Sequence, residues 1–552
     1  MTSGLLNWKC SDFIHRYSIH CIINKKTILS STVYVSLCGQ PSSYIQEQNK
    51  VEFGRAMYKK INFGKEDKIF LILLTGLIAL YFLPFLTSYL PYNDDFYRIF
   101  KGNSWDDDGR LLPSLIIRFL GHSSSIYNPA PLPMVLSIVT CGFGSFLLKK
   151  LYIDNHDPYS AALMAFGFVF NPFLLLAMSF QMDCLGFSLS LVLLIIPFIF
   201  AVPDCTRQKI KYHCYSALCI FLSLNCFQTS LGFFMALATI EVVYGVYKND
   251  NNIKLLFGRM FQLVLGFVVY KLFLKLPFIA NIARRPGRTE FVEFSTKGLN
   301  DLGNNFLNIV RAILDSFSQM QIIILGILVV LSLLFILKLY RCNRRAAKIK
   351  NADRLLFYIA IFSPFLIFLF SFLPMCFINF PILGKRYMLT SFSGFTFFLF
   401  ITAGWYLKKQ RRILLVLVPI IISAFGFSYN MFNLLECEYE FHKPIVAAIA
   451  QDINSASLDN KATLYVGGNL GRSRYFKRVE KNFPIVNDFR TNHAWAVEYQ
   501  LSFSGCYLER YKRFTSMTDV TGNDLKNMPI LTQSHYYKIY RHGRDLILIL
   551  NN

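Results

Sequence analysis

Runs of about 20 apolar residues with hardly a charge among them, such as Lys68–Leu90 and Gln321–Tyr340, constrain this chain more than any other feature. A helix of about 20 such residues is the length that crosses a hydrocarbon core roughly 30 Å thick. With 54% of its 552 residues hydrophobic and only 16% charged, the chain reads as a polytopic membrane protein. A soluble enzyme and a secreted disulfide scaffold are excluded. So is an outer-membrane barrel, whose strands would alternate over about 10 residues instead of forming solid apolar blocks.

The chain carries 57 Lys and Arg against 33 Asp and Glu, a formal net charge of +24. Most of the excess sits in short clusters between apolar runs, where lysine and arginine mark cytoplasmic loops. The charge is thus read as a topology signal, and nucleic acid is not an expected partner. Cys141, Cys184, Cys219 and Cys226 stand singly in apolar runs, where small packing residues are the simplest reading.

Residues 1–56 show neither a continuous apolar stretch nor the order of a signal peptide. Met57 opens a lysine-bearing segment that runs straight into the first apolar block, so 1–56 are expected to be disordered or a mis-called extension. Eleven spans are expected, at 69–90, 132–152, 159–180, 184–202, 213–226, 229–247, 258–280, 319–340, 355–379, 387–407 and 413–433. Reading 213–247 as a hairpin puts Asn225, Gln228 and Thr229 at its tip, where polar groups cost little. That choice also places the Lys149/Lys150, Arg207/Lys209/Lys211, Lys248/Lys254/Arg259, Arg341–Lys350 and Lys408–Arg412 clusters on the side of the amino terminus, in the cytoplasm. The expected fold class is an all-α polytopic membrane protein with a small C-terminal α/β domain. Residues 57–433 form the membrane domain, with outer loops 91–131 and 281–318. Residues 434–552, with strand-like runs 462–466 and 545–550, form an extracytoplasmic α/β domain containing Cys437 and Cys506, whose separation the sequence does not set.

The first outer loop packs five carboxylates, Asp94, Asp95, Asp106, Asp107 and Asp108, with Arg98 and Arg110 into seventeen residues. Tyr92, Phe96, Tyr97 and Trp105 lie among them, offering flat faces that suit a sugar. Further along, Gln228 tips a hairpin, and Arg284, Arg285, Arg288, Lys385 and Arg386 stand on the side that ordinarily avoids cations. Headgroup anchoring is one use for them. A lipid-linked phosphate is another, because guanidinium offers paired donors to phosphate oxygens. Phosphate leaves as a stable anion, so transfer from it needs basic side chains to receive the charge and one carboxylate to take a proton from the attacking hydroxyl. One base on one face implies displacement with inversion. The acidic triplet Asp106–Asp108 could also hold a divalent metal.

The segment Asn93-Asp94-Asp95-x-x-Arg98, followed by Trp105 and Gly109-Arg110, resembles the signature of the phage- and bacterium-encoded serotype-converting O-antigen glucosyltransferases. These are similar to the wider GT-C class of polytopic, polyprenyl-phosphate-sugar-dependent transferases. The resemblance implies a bacterial inner-membrane enzyme whose donor is undecaprenyl-phosphate glucose, made and flipped by separate proteins. The acceptor it implies is lipid-linked O-antigen on the periplasmic side, and no cofactor is expected. It favours Asp94 or Asp95 as the base, with Arg98 and Arg110 as partners. Two other functions fit a chain of this kind. A lipid-oligosaccharide flippase or exporter would place ionisable groups near the midplane, and an O-antigen polymerase or ligase would depend on Arg284–Arg288 instead of the first-loop aspartates.

The eleven-span reading predicts that a reporter fused at Lys348 scores cytoplasmic and one fused after Asn433 scores periplasmic; the reverse pattern would remove it.

Overall fold

The computed structural model describes residues 63–551, apart from 88–90, 92–93, 103, 154–155, 201–202, 204–205, 251, 283–291, 294, 346–350, 379–385, 457–461, 489–491, 509, 514–524 and 526–527. The expected extension 1–56 lies outside the described residues.

Helices dominate as far as residue 455. The first ten are α1 (Lys65–Thr87), α2 (Asp94–Lys101), α3 (Leu111–Leu120), α4 (Leu132–Tyr152), α5 (Pro158–Phe166), α6 (Pro172–Met178), α7 (Cys184–Ile199), α8 (Thr206–Cys226), α9 (Leu231–Lys248) and α10 (Ile253–Leu274). They are followed by α11 (Pro277–Ala280), α12 (Thr296–Leu314), α13 (Gln319–Arg345), α14 (Asn351–Phe370), α15 (Leu373–Cys376), α16 (Ser393–Leu407) and α17 (Gln410–Ser455). By length and composition, seven segments among the described residues could cross a membrane: α1, α4, α9 with the turn before it, α10, most of α13, α16 with the turn before it, and α17. Ile72, Val264, Ile323 and Leu415 stand on the outside of the bundle, more than half exposed. Large apolar side chains on an outer surface are what lipid accommodates and water does not.

The run expected as one span over 159–180 is two short helices, α5 and α6. Its interruption follows from Asn171-Pro172: proline has no N–H to donate, and the residue before it is driven out of the helical region. Asn171 is extended, accepts from the Phe173 N–H at 2.9 Å, and donates to the Thr390 carbonyl and Ser393 Oγ, both at 3.2 Å. Such a break is tolerated at membrane depth only where protein buries it, and Asn171 is fully buried. Gly167 at the end of α5 lets Phe400 approach; a Cβ there would lie 2.6 Å from that ring. At Phe227, extended backbone likewise separates α8 from α9, so 213–247 is two helices.

Two of the clusters assigned to topology are also packing elements. Lys149 and Lys150 donate to the two oxygens of Asp67 at 2.7 and 3.0 Å. Arg259 is buried, pairs with both oxygens of Glu241 at 2.8 and 2.9 Å, and donates to the Pro197 carbonyl at 2.8 Å. That carbonyl belongs to the last turn of α7, where helical partners run out.

Helix α17 runs without interruption past residue 434, where the tail was expected to separate, and past Pro419 and Pro444. Its last turns pack Ile445, Val446, Ile449 and Ile453 against a five-stranded sheet. Beyond it come β1 (Thr463–Gly468), α18 (Arg474–Val479), α19 (Ala494–Phe503), β2 (Arg510–Arg513), β3 (Ile530–Gln533), β4 (Tyr537–His542) and β5 (Asp545–Leu550), with sheet order β2-β1-β5-β4-β3. Strand β1 is parallel to both β2 and β5, while β4 forms an antiparallel hairpin with β5 at Gly543. Gly467 and Gly468 complete β1, two residues beyond the expected strand-like run. Gly468 has φ +80° and sits against Leu550, whose carbonyl oxygen would be 2.3 Å from any added Cβ. Cys437 and Cys506 are free thiols.

Removing one member of a buried ion pair typically costs about 3–5 kcal/mol, because the other charge is left uncompensated. Arg259→Met should therefore lower the melting temperature in detergent markedly, and Arg259→Met with Glu241→Gln should recover much of the loss; equal melting of the two variants would show the pair to be inert.

Candidate active site

The loop that follows α1 is folded back onto the bundle by one carboxylate. Asp183, between α6 and α7, accepts from Arg98 Nε at 3.0 Å and Nη2 at 3.3 Å, and from the Trp105 indole N–H. The guanidinium carbon of Arg98 lies 3.9 Å from the centroid of the Trp105 ring. All three side chains are buried. Burial disfavours the charge on Arg98, but Asp183 and then Asp94 more than restore it, so its pKa is raised and it stays protonated. A planar guanidinium suits this place, since it pairs in its plane and stacks on its face.

The neighbouring aspartates are in different environments. Asp95 is fully buried, and its two oxygens accept from the backbone N–H groups of Gln181 at 2.9 Å and Met182 at 3.1 Å. It ties α2 to the same turn that carries Asp183. Asp94, the first residue of α2, is partly exposed. Carboxylates at the start of a helix meet the positive end of its dipole, and Asp94 also lies within the field of Arg98.

A second group forms around Arg110. Its Nε donates to Gln228 Oε1 at 2.8 Å, and its guanidinium lies 4.7 Å from the centroid of Phe227. Gln228 in turn donates to the Asp108 carbonyl at 2.9 Å and to the Tyr270 hydroxyl at 2.8 Å, while that hydroxyl donates to the Gly109 carbonyl at 3.2 Å. Gly109 takes the left-handed φ of +72°, with Tyr270 and Leu274 too close for a side chain to fit without displacement. The terminal amino groups of Arg110 have no hydrogen-bond partner among the described residues, and the side chain is only half-buried.

The acidic triplet is divided as well. Asp106 is buried, accepts from Ser104 Oγ at 2.7 Å and pairs with Arg118 at 3.0 Å. Among the described residues, no cluster of three or more histidine, cysteine or carboxylate side chains could hold a metal ion.

Several site residues are placed differently from the sequence expectation. Trp105 is not a sugar platform: it is 1% exposed, with Arg98 on its ring and Ile117, Ile126 and Met182 packed around it. Arg98 is committed to Asp183. Gln228, an expected site residue, reaches the loop together with Asp183 from the turn between α6 and α7 and Tyr270 from α10. Arg284, Arg285, Arg288 and Lys385 lie outside the described residues. Arg386 opens the 3-10 helix Arg386–Phe392, whose Met388 carbonyl accepts from Thr229 Oγ1 at 2.8 Å, one residue beyond Gln228. Asp183 and Tyr270 were not expected as site residues. The polar tip Gln181-Met182-Asp183 between apolar runs was a visible signal for the first, whereas nothing distinguishes Tyr270 from its helical neighbours.

A bundle of apolar helices whose turns gather an acidic, arginine-bearing loop is consistent with a membrane protein that carries a polar site. The family comparison narrows this class. A model described as Glucosyl transferase GtrII matches residues 83–397, and the chain belongs to that family, which makes it a glycosyltransferase. The match takes in α2, Asp183, Gln228 and Tyr270. The chain is also 24% identical over 420 residues to a Salmonella phage P22 protein, described as an uncharacterized 55.3 kDa protein in the gtrB 5′ region. That similarity covers 74% of this chain and 83% of the phage protein. No solved structure matches.

Asp183→Ala should release the loop: trypsin should then cut at Arg98 or Arg110 at least tenfold faster than in the parent. An unchanged digestion rate would mean that Asp183 does not hold the loop.

Proposed function

We propose that this chain is an inverting glucosyltransferase that moves glucose from a polyprenyl-phosphate donor, undecaprenyl-phosphate glucose, to lipid-linked O-antigen on the periplasmic face of the bacterial inner membrane. The observation that carries the reading is the division of labour between adjacent aspartates. Asp95 has both oxygens engaged by backbone N–H groups, while Asp94 stands partly open at the head of the same helix. Asp94 is the general base. It takes the proton from the acceptor hydroxyl as that oxygen attacks the anomeric carbon, and the phosphate leaves with the electrons of the broken bond. Such a base contributes about 10²–10⁴-fold. Arg110 meets the departing phosphate with the amino groups that Gln228 leaves unused. Arg98, Asp183 and Trp105 position the helix that bears the base. Family membership supports glucosyl transfer, and the gtrB setting of the phage relative supports O-antigen as its context.

Eleven crossings, with the amino terminus in the cytoplasm, put this loop and the tail on the same outer side. A separate synthase and flippase would supply the donor. The broken helix α5–α6 and the buried Arg259–Glu241 pair would also suit an exporter, but both are closed. Asn171 satisfies the break, and Arg259 spends its donors on Glu241, Pro197, Tyr212 and Gln262.

Purified protein with Asp94→Asn should insert and melt like the parent yet transfer glucose at least 10²-fold more slowly. Asp95→Asn should instead lower the yield of folded protein, and Arg110→Ala should raise the donor KM. Full transfer by Asp94→Asn would remove the assigned base.

A further inference from the structure

We propose that the cleft between the starts of β1, β2 and β5 in the tail domain binds the saccharide chain of the acceptor, a hydroxyl-rich oligosaccharide of low net charge. The proposal rests on the transferase reading above and names a second contact for its acceptor.

The cleft has a volume of about 500 Å³ and is lined by Thr463, Tyr465, Glu498, Arg510, Tyr511, Lys512, Arg544 and Asp545. That size lies within the ~300–1,000 Å³ range of small-ligand sites. Tyr465 and Tyr511 are half-buried; Lys512 Nζ lies 5.8 Å from the centroid of the Tyr465 ring and Tyr511 packs against the tail core, leaving part of each ring for the C–H faces of a pyranose. Arg510, Lys512 and Arg544 are exposed and supply donors, while Glu498, which is buried, and Asp545, whose Oδ1 also accepts from the Thr463 N–H at 2.8 Å, supply acceptors. A sugar hydroxyl is both donor and acceptor, so a wall that mixes the two suits it. With three cations set against two carboxylates, the lining is nearly balanced. A site for a polyanion would carry a much larger excess of positive charge.

The position of the cleft argues for a long acceptor. Glu498 belongs to α19, and the next residue, Tyr499, stacks on Phe100 of α2 with ring centroids 5.4 Å apart and planes 8° apart. Phe503 of α19 meets Phe100 edge-on at 4.5 Å. One helix thus forms a wall of the cleft and braces the helix that carries Asp94. Phe100 and Asp94 are six positions apart, about 9 Å along α2 at ~1.5 Å per residue. The cleft and Asp94 are thus linked through α19 and α2, and an extended, polymeric acceptor suits a protein that contacts it at both.

The test uses the full-length chain in detergent micelles. The probe is the O-polysaccharide released by mild acid from the lipopolysaccharide of the bacterium that carries the gene, with heparin as a polyanion comparison. The parent should bind the polysaccharide. Arg510→Ala with Arg544→Ala should weaken that binding about tenfold, as should Tyr465→Ala, while the melting temperature stays within a few degrees. If Tyr465→Ala lowers the melting temperature, the exposed pair Arg510→Gln and Arg544→Gln decides the matter. No polysaccharide binding by the parent, unchanged binding in the variants, or tighter binding of heparin than of the polysaccharide would each overturn the proposal. Asp94→Asn should keep the binding while losing transfer. A parent that transfers no glucose would defeat the transferase reading, and the polysaccharide arm would still report on the cleft.

Discussion

The carboxylate of Asp183 is the constraint on which the arrangement of the acidic loop depends. A loop rich in charge next to a membrane would ordinarily remain solvated, because ordering each residue costs roughly 1–2 kcal/mol of backbone entropy. Asp183 reverses that tendency by accepting from Arg98 and Trp105 at once, with Arg98 covering the indole face. Once Arg98 is fixed, α2 has one orientation on the bundle, and Asp95 falls onto the Gln181 and Met182 amides. Asp94, one residue away on a helix, then points in a different direction because successive residues turn by about 100°. Two aspartates that look equivalent in sequence are thereby given different surroundings, Asp95 buried and Asp94 partly exposed.

Much of the architecture is legible in the sequence, because apolar length is a strong signal. The long helices fall where the apolar runs lie, and the polar tip at Asn225–Thr229 does interrupt 213–247. The first loop stands out for its density of acids and arginines. What the sequence hides is pairing. Nothing in the runs around Arg259 or Lys149 shows that these cations are used inside the bundle by Glu241 and Asp67, since partners on separate helices have no fixed spacing. Trp105 reads as a sugar platform from composition alone, and only three-dimensional packing shows its faces covered. The break at Asn171-Pro172 was readable from the proline, but the apolar residues on either side mask it in a length-based reading.

The tail is coupled to the acidic loop through α19, not appended to the bundle. Helix α17 passes from the apolar bundle into the tail core as one element, so the sheet has a fixed place relative to the bundle. Helix α19 then uses its two faces for different purposes. Val497 and Leu501 enter the core of the tail, while Tyr499 and Phe503 reach Phe100. Aromatic pairs of this kind contribute about 0.5–1.5 kcal/mol beyond their buried area, enough to bias the position of a short helix such as α2. Helix α2 is therefore held on two sides, by Asp183 and by α19.

The most direct test is a double-mutant cycle on Arg98 and Asp183, read by thermal or denaturant unfolding of the purified protein. If one bridge fixes the loop, Arg98→Ala and Asp183→Ala should each destabilise strongly, and the double variant should lose little more than either single one. Losses that simply add would mean that the two side chains act independently, and that the loop is held by something other than their contact.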